Sequence, residues 1–112
     1  MAVAAPPKEL RTIVDAGIPA DQLARLTGKS ERTARRWLAG ETEPRGTVRK
    51  DLAEISAVAD AYRKTFRDGD LSSWIERTNP LLDFRSAADL IAEGETARVL
   101  GLLIAIGEGV YF

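Results

Sequence analysis

An apolar stripe in the segment TVRKDLAEISAVADAYRKTFRDG, residues 47–69, constrains the fold of this 112-residue chain more than any other feature. Its members are spaced alternately by four and three residues, and they are Val48, Leu52, Ile55, Ala59, Tyr62 and Phe66. Such spacing places them on one side of an α-helix. The stripe therefore predicts one long helix, whose apolar side either faces the core of the monomer or forms the seam of a dimer.

Glycine and proline divide the rest of the chain into short segments rich in Ala, Leu, Glu and Arg, most of which favour helices. Besides the long helix, we predict helices over residues 7–16, 20–26, 30–39, 71–77, 86–92 and 96–107. The dipeptide Asn79-Pro80 predicts a turn. We therefore expect an all-α fold.

The chain contains neither cysteine nor histidine. This excludes disulfides, thiolate nucleophiles, Ser-His-Asp triads and zinc fingers, and no pair of carboxylates stands out as an acid–base pair. We expect no enzyme activity, no catalytic residue, no metal site and no cofactor.

No apolar run approaches the ~18 residues of a membrane span, and the first residues lack the pattern of a secretion signal. We expect a cytoplasmic protein without a membrane partner.

The net charge of −1 hides an asymmetry between the two halves of the chain. Residues 1–50 carry ten Lys or Arg against six Asp or Glu, a balance of +4. Residues 51–112 carry six against eleven, a balance of −5. The first half is therefore suited to a polyanion, and the second half is not.

The stretch ADQLARLTGKSERTARRWLAG, residues 20–40, predicts two short helices joined by a tight turn. Ala24 is small where the helices cross, Gly28 lies in the turn, and Ala34 and Trp37 pack from the second helix. This spacing resembles the helix-turn-helix of Xre/Cro-type regulators. The alternative is a helical scaffold whose arginines are only solvent-exposed surface residues and bind no partner.

The second helix of this pair separates a packed side from a basic side, at about 100° per residue. Ser30 can cap the helix and direct its N–H groups towards a phosphate, while the arginines reach base edges. Glu31, Glu41 and Glu43 weaken the positive field, so specific binding needs a dimer that reads two half-sites. The predicted DNA-binding residues are Lys29, Ser30, Arg32, Arg35 and Arg36.

Residues 71–112 contain an ordered series: Trp74, then NPLLDF, AADLIAEGE and VLGLLIAIGEGVYF. Together with the upstream helix pair, this series resembles the Xre/MbcA/ParS-type antitoxin family. The matching residues are Trp74, Asn79, Pro80, Leu81, Ala88, Asp89, Leu90, Gly94, Glu95, Val99, Leu100 and Gly109. One departure is Ser86-Ala87, where the family often has proline. Trp74 has an alternative interpretation as a core residue of a small helical domain.

The resemblance implies a type II antitoxin in which an Xre-like helix-turn-helix module precedes a small helical toxin-binding domain. It implies a helix-turn-helix module at residues 1–44, a connecting or dimerisation helix at 45–69 and a toxin-binding domain at 70–112. The implied partner is a RES-domain toxin, an enzyme that degrades NAD. Family members block it by direct contact, and the complexes can bind their own promoter. We therefore expect a homodimer within a toxin–antitoxin hetero-oligomer that also binds promoter DNA.

Two aromatic residues lie in the segment IGEGVYF, residues 106–112, where a fraying polar tail would be ordinary. In the family the antitoxin C-terminus enters or covers the cleft of the toxin, and the resemblance assigns this role to Gly109, Val110, Tyr111 and Phe112. Glycine allows the chain to turn off its helix, and a nucleotide pocket accepts aromatic rings. The alternative is that the tail folds back on its own domain.

Two other functions fit the same residues. One is a free-standing transcriptional repressor whose C-terminal half only dimerises. The other is a protein-binding inhibitor with an inactive helix-turn-helix. The three functions differ in what the tail and the arginines do, so variants in those two regions distinguish them.

Overall fold

The structure is a computed structural model that describes residues 8–109. Within that range the chain forms seven α-helices and one two-stranded antiparallel sheet. The helices are α1 (Lys8–Asp15), α2 (Ala20–Thr27), α3 (Glu31–Leu38), α4 (Thr47–Thr65), α5 (Leu71–Trp74), α6 (Ala87–Ala92) and α7 (Thr96–Gly107). The strands are β1 (Thr78–Asn79) and β2 (Arg85–Ser86), with a 3-10 helix (Pro80–Leu82) between them. The expected, mostly helical fold is therefore confirmed.

The apolar stripe forms the buried side of α4. Val48, Leu52, Ile55, Ala59 and Tyr62 are each no more than 4% exposed, and α4 packs against α1 and α7. The stripe therefore faces the core of this chain, which decides between the two alternatives that the sequence left open. A dimer contact through α4 would have to use other residues of that helix.

The sequence missed the small sheet and placed the ends of two helices several residues too late, while other helix boundaries differ by about one residue. α4 ends at Thr65 instead of residue 69, α5 ends at Trp74 instead of residue 77, and α6 begins after Ser86. Two-residue strands are too short to show an alternating pattern, so periodicity cannot detect them. The turn predicted at Asn79-Pro80 is instead the start of the 3-10 helix, where the Asn79 side chain accepts a hydrogen bond from the Leu81 amide at 2.8 Å.

The hairpin between the strands closes through two residues in the left-handed conformation. Asp83 and Phe84 have φ of 58° and 62°, and the Phe84 amide donates to the Asn79 carbonyl at 2.9 Å. Left-handed backbone at two consecutive positions is typical of the tight turns that connect antiparallel strands. Neither residue is glycine, so the sequence carries no strong signal for this turn.

Three aromatic rings pack where α4 meets α5. The Tyr62 ring lies 5.1 Å from that of Phe66 and 5.5 Å from that of Trp74, measured between centroids. Burial raises the pKa of the Tyr62 hydroxyl above its ordinary value. Trp74 is thus partly buried against the core, and Asp70 begins its helix by accepting hydrogen bonds from the Ser73 amide and hydroxyl.

Polar side chains of α2 hold it against the C-terminal half of the chain. The buried Gln22 amide donates to the Ser72 carbonyl at 3.0 Å and to the Glu76 carboxylate at 2.8 Å. Arg25 contacts Glu76 at 2.5 Å and Asp89 at 3.3 Å, and the hydrogen bond that Arg25 donates to Glu76 raises the pKa of Arg25. These contacts fix the position of α2 relative to α5 and α6.

Among the helices of residues 8–109, none is both long enough and apolar enough to span a bilayer.

Gly69 provides a test of the aromatic cluster. A Cβ atom at this position would lie 2.1 Å from the Tyr62 hydroxyl oxygen, and the Tyr62 ring is held by its neighbours. We expect Gly69→Ala to lower the free energy of unfolding by about 1–3 kcal/mol, as overpacking does. Gly101→Ala in α7, which meets no atom within 4 Å, is the control and should raise it by about 0.5–1 kcal/mol. Urea unfolding of the two variants checks this, and equal stability would contradict it.

Candidate nucleic-acid interface and C-terminal surface

The turn between α2 and α3 consists of Gly28, Lys29 and Ser30. Gly28 has φ of 71°, and the Lys29 amide donates to the Ala24 carbonyl at 2.9 Å. The left-handed residue ends α2 by satisfying carbonyl groups of its last turn. The helix pair α2–α3 is therefore joined by a three-residue turn with glycine at the position where the sequence predicts it.

Ser30 caps α3, as predicted. Its hydroxyl accepts a hydrogen bond from the Thr33 amide at 3.1 Å and donates to the Thr33 hydroxyl at 2.9 Å. Ser30 and Lys29 are exposed. The first turn of α3 thus presents backbone N–H groups and one lysine at the surface, an arrangement that suits an anion.

The packed and basic sides of α3 are separated, as the helical spacing predicts. Ala34 and Trp37 are 0% and 4% exposed and belong to the core. The opposite side carries exposed Arg32, Arg35 and Arg36. The arginine side chains therefore take no part in the core and are free to contact a ligand.

Two of the three arginines have a carboxylate partner. Arg35 contacts Glu31 one turn earlier at 2.6 Å, and Arg36 contacts Glu41 at 3.7 Å. No carboxylate in residues 8–109 lies within 4.0 Å of a charged nitrogen of Arg32. The sequence identified these glutamates as weakening the positive field, and the structure specifies which arginine each one contacts.

The last helix ends in a bend at Gly109. The Glu108 amide donates to the Ile104 carbonyl and the Gly109 amide to the Ile106 carbonyl, both at 3.0 Å. Gly109 has φ of 76°, so the chain leaves the helix axis here. The other predicted toxin-binding residues, Val110, Tyr111 and Phe112, lie outside the described residues.

The end of α7 lies close to the end of α4. The Thr65 hydroxyl donates to the Leu103 carbonyl at 3.3 Å, and a Cβ atom at Gly107 would lie 3.2 Å from the same hydroxyl oxygen. An apolar groove follows this junction. It is lined by Ala57, Ala61, Leu100, Leu103, Ile104 and Gly107, with Asp60, Lys64 and Thr65.

Neither this groove nor the exposure of Ile104 is predicted from the sequence. One signal was available, because α7 contains only one charged residue, Arg98, in twelve. A helix that is apolar on all sides is normally buried on all sides. The hairpin residues Leu81 and Phe84 were also missed as exposed apolar side chains.

A metal-binding cluster is not present among the acidic residues of the part of the chain that the structure describes.

Comparisons with known proteins identify an antitoxin family. No family model matches the chain. The relatives include proteins described as "Mycobacterial cidal antitoxin MbcA" from Mycobacterium bovis and Mycobacterium tuberculosis, each 34% identical over 95 residues, which cover 85% of this chain and 84% of the relative. A solved structure, "Crystal structure of the M.tuberculosis MbcT-MbcA toxin-antitoxin complex", contains a chain with a TM-score of 0.81 and 31% identity. That match covers 93% of this chain and 95% of the other.

The cap of α3 can be tested through stability. Ser30→Ala removes the acceptor for the Thr33 amide and should lower the free energy of unfolding by about 1 kcal/mol. Ser30→Asp is the matched control, because a carboxylate caps equally well and is favoured at a helix N-terminus. Thermal and urea unfolding measure both variants. A loss of the same size in Ser30→Asp would show that the cap is not the cause.

Proposed function

Because the chain belongs to the MbcA antitoxin family, we propose that it neutralises a toxin enzyme by direct contact and represses its own operon. The observation that carries the proposal is the 34% identity over 95 residues with MbcA antitoxins, together with the fold shared with a chain of the MbcT-MbcA toxin-antitoxin complex. The proposed toxin is a RES-domain enzyme that degrades NAD, and the proposed site of action is the cytoplasm. The chain itself acts without enzymatic chemistry.

We propose that consecutive segments of the chain have different functions. Residues 1–44 form a helix-turn-helix module that binds promoter DNA, and residues 70–112 bind the toxin. Residues 45–69 connect the two, and we propose that they also contribute to a homodimer within the toxin–antitoxin complex. The packing of α4 against both α1 and α7 supports this arrangement, because one helix contacts both parts.

The proposed toxin-blocking element is the segment Gly109, Val110, Tyr111 and Phe112. The left-handed backbone of Gly109 supports this, because it interrupts the helical conformation immediately before the other three residues. An NAD-binding pocket is lined to accept flat rings, and Tyr111 and Phe112 offer two. Exposed Glu108 precedes them and adds a charge that can orient the encounter with a basic cleft mouth.

Removal of residues 110–112 tests the blocking element. A buried aromatic anchor contributes about 2 kcal/mol or more, so loss of even one should weaken inhibition at least roughly 30-fold. The measurement is the NAD-degrading activity of the toxin titrated with antitoxin. Arg32→Ala serves as the control, because it lies on α3 and should leave inhibition unchanged. Full inhibition by the shortened chain would refute the blocking role, whereas failure of the unaltered chain to inhibit the toxin would favour a free-standing repressor.

The proposed DNA-binding residues are Lys29, Ser30, Arg32, Arg35 and Arg36. Their exposure and the capped N-terminus of α3 support the proposal, since guanidinium groups bind guanine edges and helix N-termini bind phosphates. The pairing of Arg35 with Glu31 predicts that the arginines differ in how readily they contact DNA. Arg32 can contact DNA without first breaking an ion pair with a carboxylate. Arg35 must exchange its ion pair with Glu31 for a contact with DNA.

Substitutions on α3 test this difference. Arg32→Ala and Arg35→Ala should each cost about 1–3 kcal/mol in operator affinity if they contact bases. Glu31→Gln should raise the affinity, because it releases Arg35 and removes a negative charge near phosphates. Fluorescence anisotropy of the toxin–antitoxin complex with promoter DNA at moderate salt measures this, with Arg63→Ala on α4 as the control. A complex that does not bind its promoter would favour a protein-binding inhibitor with an inactive helix-turn-helix.

A further inference from the structure

We propose that the body of the toxin docks on the apolar groove between α4 and α7, with Ile104 as its central contact. This inference rests on the proposed function, because it takes the toxin as the partner. It assigns a second surface to the same partner, separate from the blocking element at residues 109–112.

The position of the toxin follows from the reach of the chain. Tyr111 and Phe112 follow Gly109 by two and three residues, and an extended chain spans at most about 3.3–3.6 Å per residue. A cleft that receives these rings must therefore open within about 11 Å of Gly109. Any partner of protein size with its cleft there must also cover the surface beside the end of α7.

The surface beside the end of α7 is the groove. On the α7 side it presents Leu100, Ile104 and Gly107, and on the α4 side it presents Ala57 and Ala61. Ile104 is 48% exposed. The alanines and the glycine leave space above the helix backbones, so an apolar side chain of a partner can approach closely and cover Ile104.

The composition of α7 indicates that the groove is covered. Arg98, its only charged residue, is directed towards Asp83 at 3.1 Å, in the half of the helix away from Gly107. α4 and α6 pack against α7, but no residue in the range 8–109 covers the side that carries Ile104. The groove reaches Gly107, two residues before Gly109.

Charge around the groove fits a protein partner. Asp60 and Lys64 border it on α4 with opposite signs, so the apolar centre has a polar rim, which is the usual arrangement of a protein–protein interface. A second copy of this chain at the same place would occupy the position where the cleft of the toxin must open. The toxin is therefore the partner that fits both the apolar groove and the proposed insertion of Tyr111 and Phe112 into a cleft.

Two groove variants with matched controls test the proposal on the full chain. Ile104→Ser should weaken binding of the purified toxin from the adjacent reading frame about tenfold, because half of an isoleucine side chain is no longer buried on binding. Val14→Ser is its control, because Val14 is also 48% exposed but lies in α1, outside the proposed toxin-binding residues. Ala61→Glu places a charge in the groove and should weaken binding at least as much. Its control is Ala53→Glu, an exposed position nearer the other end of α4.

The measurements are toxin affinity by calorimetry, the melting temperature of each variant and self-association by sedimentation. The expected result is weaker toxin binding by the two groove variants alone, with melting temperatures unchanged. If the unaltered chain does not bind the toxin, the proposed function fails and the groove proposal fails with it.

Other results overturn only the groove proposal. If the unaltered chain binds and the groove variants bind equally well, the toxin does not use the groove. Loss of self-association with unchanged toxin affinity would assign the groove to a second copy. Tighter toxin binding by the groove variants would mean that the groove holds the chain's own tail before the toxin arrives.

Discussion

Burial of one side of α4 is the interaction on which the rest of the structure depends. Its five stripe residues from Val48 to Tyr62 are almost fully buried, and burial of a Val, Leu or Ile side chain stabilises by about 1.5–3 kcal/mol. α1, which belongs to the proposed DNA-binding module, and α7, which precedes the proposed blocking element, both pack on this helix. Loosening of α4 would therefore affect both ends of the molecule, although the α3 surface and the α7 groove share no residue.

A second connection reinforces this arrangement. Gln22 of α2 is buried and satisfied by Ser72 and Glu76, whereas Arg25 forms its ion pairs at the surface. Net stabilisation by a hydrogen bond is about 0.5–1.5 kcal/mol, and an exposed ion pair contributes about 0–1 kcal/mol. The hydrogen bonds of the Gln22 amide therefore stabilise the packing of α2 against α5 more than the ion pairs of Arg25 do. Arg25 mainly sets the orientation of α2 relative to α5.

Helical spacing and the positions of glycine in the sequence predicted the helices and their buried sides. Features that depend on tertiary contacts were not predicted. The stripe of α4, the two sides of α3 and the cap at Ser30 follow from helical spacing and side-chain chemistry. The hairpin at Asp83-Phe84 does not, because Phe84 is an unusual residue for left-handed backbone and each strand has only two residues. The groove beside Ile104 requires knowledge of which helix packs on α7, although the lack of charge in that helix is visible in the sequence.

The glutamates paired with Arg35 and Arg36 agree with the proposal that a single copy would bind DNA weakly. An exposed pair one turn apart on a helix stabilises by about 0.3–0.5 kcal/mol, whereas a bidentate contact of arginine with guanine discriminates by about 1–3 kcal/mol. Arg35 can therefore leave Glu31 for a correct base at small cost. On random DNA the same carboxylate remains near the phosphates and reduces the electrostatic attraction that dominates non-specific affinity. Under the proposed DNA-binding function, the pairing of Arg35 with Glu31 would favour the operator over other sites, and low affinity per copy would make promoter occupancy depend on several copies.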